Sequence, residues 1–454
     1  MRIEELHLQN FRGFQELKLK VPPDLAVFIG DNGSGKSSVL DSIAILLNEF
    51  VSKLRTGHEF HLKNDDININ SNRAFITTTV KTDTGKLLAW NIGIDRERKL
   101  RQTNVKRDID DYALEIYLRM NKIDDDRINP FVDDNFIQND FSLPIIVFYK
   151  TNRIFIKSSA VKDMSEEERQ SMYTNTRLDG YKETFNDSIN DFSDFSYWFK
   201  QEEEYENEVR LRENSNFRNT NLEIIRKALE TFLEGFPNTR FSDLRIIRIS
   251  SNREGGIRRL NKPSLVIKKN GKDFKLDQLS DGEKTLLMIV VDIARRLAIL
   301  NPSITNPLEL LEEGTGIILI DEIDLHLHPQ WQRIVIPSFR RTFPNCQFIV
   351  TTHSPQVLSG VNKENVFILE DSKIVEITPH TFGRDSNSIL SEVMGVEKRP
   401  VKMQERLDRC FDMIDNDNLD GAKLELKKLS ELLGNNDPEL VRGRTIIDFL
   451  SRVE

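Results

Sequence analysis

The sequence predicts an α/β fold with a mixed β-sheet core, a helical insertion and a helical C-terminal tail. Three short apolar runs, at 25–29, 317–320 and 348–350, are each followed by polar or glycine residues. Short apolar runs between turn signals are typical of strands that are buried on both faces of a sheet. The first run leads into a stretch at 38–47 with the composition of a helix, the kind of element that covers such a sheet.

A glycine-rich loop, Gly-Asp-Asn-Gly-Ser-Gly-Lys-Ser at 30–37, separates the first apolar run from its helix. Glycines let backbone N–H groups curl around phosphate oxygens, and the positive end of the helix dipole points at the same place. Lys36 adds a charge for the outer phosphates, and Ser37 offers a hydroxyl to Mg²⁺. This context predicts a nucleotide site, with the binding residues Asn32, Gly33, Ser34, Gly35, Lys36, Ser37 and Ser38.

The run at 317–320 ends in two carboxylates, Asp321 and Glu322. A buried strand that delivers acids at its C-terminal end suits metal binding and water activation. We expect Asp321 to hold Mg²⁺, directly or through water, and Glu322 to orient and polarise the attacking water. The alternative is a strand with a solvated acidic end, which the presence of a phosphate loop makes the weaker interpretation.

A third element, Leu-Ser-Asp-Gly-Glu-Lys at 279–284, precedes an apolar helical stretch. Ser280 and Glu283 have the spacing of a capping box, so one interpretation is simply a well-capped helix. The other is that Gly282 lets a phosphate approach the unpaired N–H groups at the helix start.

A fourth element is His353, which follows the third apolar run and lies 32 residues after Asp321. A histidine after a strand is usually structural. Here an adjacent strand would bring it within reach of a γ-phosphate.

These elements, in this order, resemble the head domain of the ABC-type ATPases, in the soluble branch of the RecF, SMC and OLD-type proteins. The stretch 279–283 resembles the ABC signature, with Asp and Glu in place of the commoner Gly and Gln. The stretches 321–329 and 351–355 resemble the extended Walker B motif with its D-loop and the switch-histidine segment. The opening 8–14 resembles the first strand and turn of that branch, where an Arg matching Arg12 reaches the nucleotide.

His326 and His328 form an H-x-H pair that would face one way on a strand and could suggest a metal site. The chain has only two cysteines, and no other histidine lies near in sequence. The D-loop resemblance accounts for the pair better.

The resemblance implies that two heads sandwich two ATP molecules with Mg²⁺, and that hydrolysis reopens the dimer. The signature residues Ser280, Gly282 and Glu283 become nucleotide contacts, of which Ser280 and Gly282 act in trans. The expected catalytic residues, in cis, are Lys36, Glu322 and His353. The expected Mg²⁺ ligands are Ser37 and Asp321. A Gln-bearing loop that helps to hold Mg²⁺ in this family cannot be placed from the sequence.

Composition favours a cytoplasmic protein. Two cysteines, Cys346 and Cys410, are too few for a disulfide framework. No apolar run approaches the ~20 residues of a membrane span, and the N-terminus has no signal-peptide profile. We therefore expect no membrane partner and no fused channel.

The net charge of −9 does not suggest a protein that coats DNA, but charge is uneven along the chain. Residues 245–275 contain ten Arg or Lys and two acids, Glu254 and Asp273. A hairpin with Asn270–Gly271 as its turn is predicted there. The segment is either an ordinary solvated hairpin or a DNA contact surface that binds the phosphate backbone.

Motif positions predict four regions. Residues 1–154 form a first ATPase lobe with the phosphate loop, and 155–240 form a mostly helical insertion, too short for a long heptad arm. Residues 241–380 form a second lobe with the signature, Walker B and switch histidine. Residues 381–454 form a helical region that is expected to dock a partner.

The C-terminal tail narrows the resemblance. OLD-type proteins carry a Toprim nuclease after the ATPase, and only 101 residues follow His353. The acids of 415–417 are predicted to lie between helices, so no nuclease site is expected. The stretch 383–390 and the helical end resemble the PtuA family of Septu and retron-associated ATPases, which pair with the HNH nuclease PtuB.

Three functions compete at this point. The first is an ATPase that acts as nucleotide-gated regulator and scaffold for a PtuB-like HNH nuclease in anti-phage defence. The second is a RecF-like repair or recombination ATPase that binds DNA itself. The third is a scaffold that binds ATP structurally. The first implies a homodimer through the ATP sandwich and a higher-order oligomer, for which a hexamer is one form.

Overall fold

The protein was studied as a computed structural model. It describes residues 1–55, 61–97, 108–125, 141–151, 177–185, 192–237, 239–247, 250–251, 259–260, 263–375 and 379–453. The chain divides into two compact units, Met1–Arg384 and Asp385–Glu454.

The strands are β1 (Arg2–Phe11), β2 (Phe14–Lys20), β3 (Leu25–Gly30), β4 (Arg73–Lys81), β5 (Leu87–Asp95), β6 (Ile145–Tyr149), β7 (Phe241–Ile247), β8 (Ser250–Ser251), β9 (Arg259–Leu260), β10 (Ser264–Lys269), β11 (Lys272–Lys275), β12 (Gly316–Ile320), β13 (Cys346–Thr351), β14 (Val366–Glu370) and β15 (Lys373–Ile374).

The helices are α1 (Lys36–Leu54), α2 (Asp108–Asp125), α3 (Phe192–Arg212), α4 (Thr220–Leu233), α5 (Asp281–Leu300), α6 (Pro307–Glu313), α7 (Pro329–Gln332), α8 (Val335–Thr342), α9 (Pro355–Leu358), α10 (Ser386–Glu392), α11 (Val401–Asp415), α12 (Leu419–Leu433) and α13 (Pro438–Val453).

A six-stranded sheet forms the centre of the first unit, in the order β15, β14, β3, β13, β12, β6. The pairs from β14 through β6 are parallel, and β15 pairs antiparallel at the edge. Strands β3, β6, β12 and β13 are buried on both faces, as their unbroken apolar runs predict. Because parallel strands end at the same edge, the loops that follow these four strands meet there.

Helix α1 lies between the central sheet and a four-stranded antiparallel sheet of order β2, β1, β4, β5. Its apolar side chains are buried over almost its whole length, since both of its flanks face a sheet. Trp90 of β5 closes one side, and its indole N–H donates to the carbonyl of Leu46 at 3.1 Å. This packing fixes the start of α1, and with it the phosphate loop, against β3.

The aromatic residues of the predicted insertion form helix-packing core. Phe195, Tyr197, Trp198 and Phe199 lie on α3 and are each no more than about one-twentieth exposed. Phe195 packs on both Trp198 and Phe199. Helix α4 then packs on the long helix α5. Residues 152–176 of this region lie outside the described residues.

A buried polar network joins helix α5 to strand β6. One carboxylate oxygen of Asp292 accepts from the Tyr149 hydroxyl at 2.8 Å and from Nε of Arg296 at 2.7 Å. Arg296 also donates to the carbonyls of Gly180 and Lys182. A buried charge is tolerated where it is paired and its remaining hydrogen bonds are made, as they are here. The network fixes α5 against the strand that leads into the site.

The second unit has its own core, made by α11, α12 and α13. Buried side chains include Leu407, Cys410 and Ile414 of α11. The helices are separated at 416–418 and 434–437; Asp415 ends α11, and Asp417 lies in the break after it. A bidentate pair between Arg399 and Asp437, at 2.9 and 3.0 Å, closes one end.

In the described part of the chain, no helix is long and apolar enough to cross a bilayer. The edge strand β15 ends at Ile374, and residues 376–378 lie outside the description.

Candidate nucleotide-binding site

The phosphate loop holds its lysine by its own backbone. Lys36 is 7% exposed, and its Nζ donates to the carbonyls of Gly30 at 2.9 Å and Asp31 at 2.8 Å. Burial lowers the pKa of Lys36 below its ordinary value, against the attraction of nearby acids that include Asp321 and Glu322. The ammonium therefore sits at the centre of the loop, where it meets an incoming anion.

Backbone geometry explains the loop's glycines. Gly33 and Gly35 have φ of 84° and 104°, a region that favours glycine. A side chain at Gly35 would also meet the ring of Phe14 at 2.6 Å. Asn32 and Gly33 are exposed at the tip.

Ser34 provides a test of fit for a phosphate. Its hydroxyl oxygen is buried and has no hydrogen-bond partner among the described residues. Buried polar groups are nearly always satisfied, so an orphaned hydroxyl inside a glycine loop indicates a missing polar ligand. The residues present fit a bound phosphate group.

The carboxylate of Asp321 accepts hydrogen bonds from three hydroxyl groups, which belong to three segments of the chain. Its Oδ2 accepts from Ser37 at 2.9 Å and from Thr151 at 2.7 Å, and its Oδ1 accepts from Thr351 at 2.5 Å. Ser37 follows β3, Thr151 follows β6 and Thr351 ends β13. A carboxylate beside a serine hydroxyl is a donor set that Mg²⁺ accepts, so the arrangement fits the predicted metal ligands Ser37 and Asp321.

Glu322 has a strained backbone conformation next to the Asp321 carboxylate. Its φ is 49°, which costs on the order of 1 kcal/mol for a residue with a side chain. Its N–H donates to the hydroxyl of Thr351 at 2.7 Å, which stabilises the turn. The carboxylate is half-buried at the end of β12. Strain of this kind is typical of residues whose side chain must be aimed.

His353 lies two residues after β13 and is half-buried. The segments around it are tied to the D-loop, because the Thr352 hydroxyl donates to Asp324 at 2.5 Å and that of Ser354 donates to Gln332 at 2.8 Å. The strand order brings this segment next to both the phosphate loop and Asp321.

Arg12 lies in the turn after β1, with φ of 49°. Its guanidinium donates to Asp41 at 2.6 Å, to Asp66 at 2.8 Å and to the Ser38 hydroxyl at 3.4 Å. Burial alone would lower the pKa of Arg12, but the two carboxylates raise it above its ordinary value. Arg12 is thus fixed next to the first turn of α1, and its contact with the nucleotide stays a prediction.

The signature residues face other partners. Ser280 and Glu283 form the predicted capping box, with N–H to oxygen distances of 3.4 and 3.0 Å. A Cβ on Gly282 would lie 2.4 Å from the carbonyl oxygen of His326, so the start of α5 packs on the D-loop. Among the described residues, none of these three makes a hydrogen bond to the phosphate loop.

The H-x-H pair lies in a loop instead of a strand. His326 has φ of 61°, and Nδ1 of His328 accepts from the N–H of Gln330 at 3.3 Å as the N-cap of α7. The pair therefore does not lie on one face of a strand, as a metal site on a strand would require.

The basic segment 245–275 is largely ion-paired where it is described. Arg245 binds Asp243 and Asp273, and Lys268 binds Asp243. Asp243 lies just outside the counted segment. The predicted hairpin is present as β10 and β11, with Asn270 and Gly271 at positive φ. Residues 248–249, 252–258 and 261–262 and the Arg259 side chain lie outside the description.

Sequence reasoning missed Thr151 and Thr351. Each follows or ends an apolar strand at the edge where Asp321 lies, and that position is the signal that could have identified them. Thr151 was overlooked because β6 carries no glycine or acid after it.

A phosphate loop, an acidic strand end and a switch-histidine segment at one edge of a mixed sheet define a phosphate-loop ATPase head. The AAA ATPase domain family AAA_15 matches residues 1–358, and the chain belongs to that family.

Relatives match over most of the chain. It is 29% identical to a retron Vc95 probable ATPase of Vibrio cholerae serotype O1 biovar El Tor, over 90% of this chain and 81% of that protein. It is 28% identical to a retron Ec83 probable ATPase of Escherichia coli, over 88% and 77%. The Septu protein PtuA of Bacillus thuringiensis is 23% identical over 96% and 95%. A solved SMC head bound to the C-winged helix domain of ScpA has a TM-score of 0.41 at 16% identity, over 83% of this chain and 98% of that one. The resemblance to the RecF and SMC branch, with PtuA-like relatives, is confirmed.

We predict that Lys36→Ala lowers ATP affinity by about 100-fold, because two charge-assisted hydrogen bonds to phosphate are lost. Equilibrium binding of a fluorescent ATP analogue measures this. The control is Lys18→Ala, which removes an exposed lysine paired with Glu16 on β2. Undiminished affinity in the Lys36 variant would refute the phosphate-loop assignment.

We predict that Thr151→Val weakens Mg²⁺ binding about 10–100-fold, since a side chain that orients a metal ligand is lost. Thr151→Ser keeps the hydroxyl and should stay near the parent protein. The measurement is Mn²⁺ affinity in the presence of ATP, followed by electron paramagnetic resonance. Equal affinities for the Val and Ser variants would show that the hydrogen bond to Asp321 has no role in metal binding.

Proposed function

We propose that this chain is an ATP-hydrolysing regulator and scaffold that controls a partner HNH nuclease in anti-phage defence. The observation that carries the ATPase half is the Asp321 carboxylate, which joins the phosphate loop, β6 and β13 at one point. The retron and Septu names of relatives that align over most of the chain support the defence half.

The chemistry follows from the residues at the sheet edge. Lys36 exchanges the carbonyls of Gly30 and Asp31 for the outer phosphates of ATP. Ser37 and Asp321 hold Mg²⁺, which supplies positive charge for the phosphate oxygens. Glu322 orients the attacking water, and His353 contacts the γ-phosphate from the adjacent strand.

Gating requires that the Asp321 carboxylate and the three hydroxyl groups bonded to it change position when the γ-phosphate binds or leaves. The Thr351 hydroxyl donates to the Asp321 side chain and accepts from the Glu322 N–H. A displacement of Asp321 therefore also moves the switch segment. Asp324 ties the D-loop to Thr352. Binding of a second head over the nucleotide, with Ser280 and Gly282 in trans, then changes the surface offered to a partner.

The C-terminal unit is the proposed docking region. It is compact by itself and leaves large apolar side chains exposed, among them Leu424, Leu432 and Phe449 at 57%, 62% and 67%. Large exposed apolar side chains of this kind support a docking role for the unit. A RecF-like DNA role draws less support at Arg245 and Lys268, because these two basic residues are paired with acids.

We predict that Glu322→Gln traps an ATP-bound dimer, because the nucleotide stays uncleaved between the heads. Mass photometry with ATP and Mg²⁺ should show a stable species of twice the protomer mass or a multiple of it. The same protein carrying Lys36→Ala as well is the control and should stay in its nucleotide-free state. Unchanged ATP turnover in the Glu322 variant would contradict its assignment as the catalytic carboxylate.

The partner is tested by expressing the chain with its native gene neighbourhood intact and identifying co-purified proteins by mass spectrometry. We expect a stoichiometric protein with an HNH motif, and its loss from a Phe449→Asp variant. A Leu211→Asp variant is the control, since Leu211 is 87% exposed on α3 of the other unit. Recovery of the chain alone, or with recombination proteins and DNA, would overturn the defence assignment.

A further inference from the structure

An ion pair lies at the start of the signature helix α5. Nζ of Lys269 donates to Oε1 of Glu283 at 2.5 Å, and the Glu283 side chain is only 8% exposed. The second carboxylate oxygen accepts from the N–H of Ser280 at 3.0 Å. The ammonium also lies 5.8 Å from the ring centroid of Phe241, across the sheet on β7. Lys269 is therefore held from two sides.

The carboxylate of Glu283 has opposite effects on the helix and on an anionic ligand. A negative side chain in the first turn stabilises α5 through the capping box and the helix dipole. The same charge repels a phosphate that approaches the N–H groups beside Ser280, since like charges a few ångströms apart interact strongly near a protein surface. An ammonium on the same carboxylate cancels that repulsion without removing the cap.

We propose that Lys269 is a positioning residue of the ATP site, which neutralises Glu283 so that the signature end of α5 accepts the triphosphate held by a second copy of this chain. The inference rests on the proposed ATP sandwich. Lys269 acts through Glu283 and Ser280 and needs no contact with nucleotide itself.

The neighbouring residue provides a matched control. Lys268 precedes Lys269 on β10 and therefore points to the opposite face of the hairpin sheet. It pairs with Asp243 at 3.2 Å, so its partner is a different carboxylate. A lysine-to-methionine change at either position removes one charge from the same strand, so only the place of the charge differs.

The experiment measures ATP-driven dimerisation of the full-length Glu322→Gln protein by mass photometry across a range of ATP concentrations. We expect Lys269→Met to raise the half-maximal ATP concentration about tenfold, because an uncompensated charge faces the phosphate. Lys269→Arg and Lys268→Met should stay within about twofold of the parent. The double variant Lys269→Met with Glu283→Gln should recover to within about twofold, because it carries no charge to compensate.

Nucleotide binding to the isolated head separates positioning from a structural role. Affinity for a fluorescent ATP analogue, measured at protein concentrations below dimerisation, should be the same in Lys269→Met, Lys269→Arg and Lys268→Met. If Lys269→Met weakens ATP-driven dimerisation and the Glu283→Gln change fails to restore it, the inference is overturned, because the ion pair then has only a structural role. Undiminished dimerisation in Lys269→Met would overturn the inference about Lys269 but would leave the proposed ATP sandwich standing. A parent protein that stays monomeric with ATP would overturn the sandwich and this inference together.

Discussion

The carboxylate of Asp321 is the constraint that organises the ATPase head. It accepts hydrogen bonds from Ser37, Thr151 and Thr351, so three segments that are far apart in sequence are held at one sheet edge. The parallel pairing of β6, β12, β13 and β3 makes this possible, because it ends all four strands together. The buried charge is satisfied by hydroxyl groups, which a divalent cation can replace in part.

The elements expected to act on different heads also touch within one head. The absence of a side chain at Gly282 lets α5 approach the His326 carbonyl, and Asp324 ties that D-loop to Thr352 of the switch segment. The buried Asp292 network fixes the same helix to β6. In the proposed ATP sandwich, closing one site would displace parts of the other through α5, which is the expected basis of a switch driven by nucleotide.

The sequence was sufficient for the elements whose physics is local. The phosphate loop, the strand ending in Asp321 and the capping box at Ser280 each follow from residue type and spacing. Thr151 could not be found this way, because its role comes from a strand pairing 170 residues away. The same holds for Lys269, whose partner Glu283 is chosen by tertiary packing.

We propose that the Asp321 carboxylate, its bonded hydroxyl groups and the phosphate loop form one Mg²⁺–ATP site. The most direct measurement is a crystal structure of the Glu322→Gln protein with ATP and Mg²⁺. The account predicts that Lys36 leaves the carbonyls of Gly30 and Asp31 for the outer phosphates, with Mg²⁺ next to Ser37 and Asp321. Nucleotide bound at another place, or at the loop with Lys36 still on those carbonyls, would contradict it.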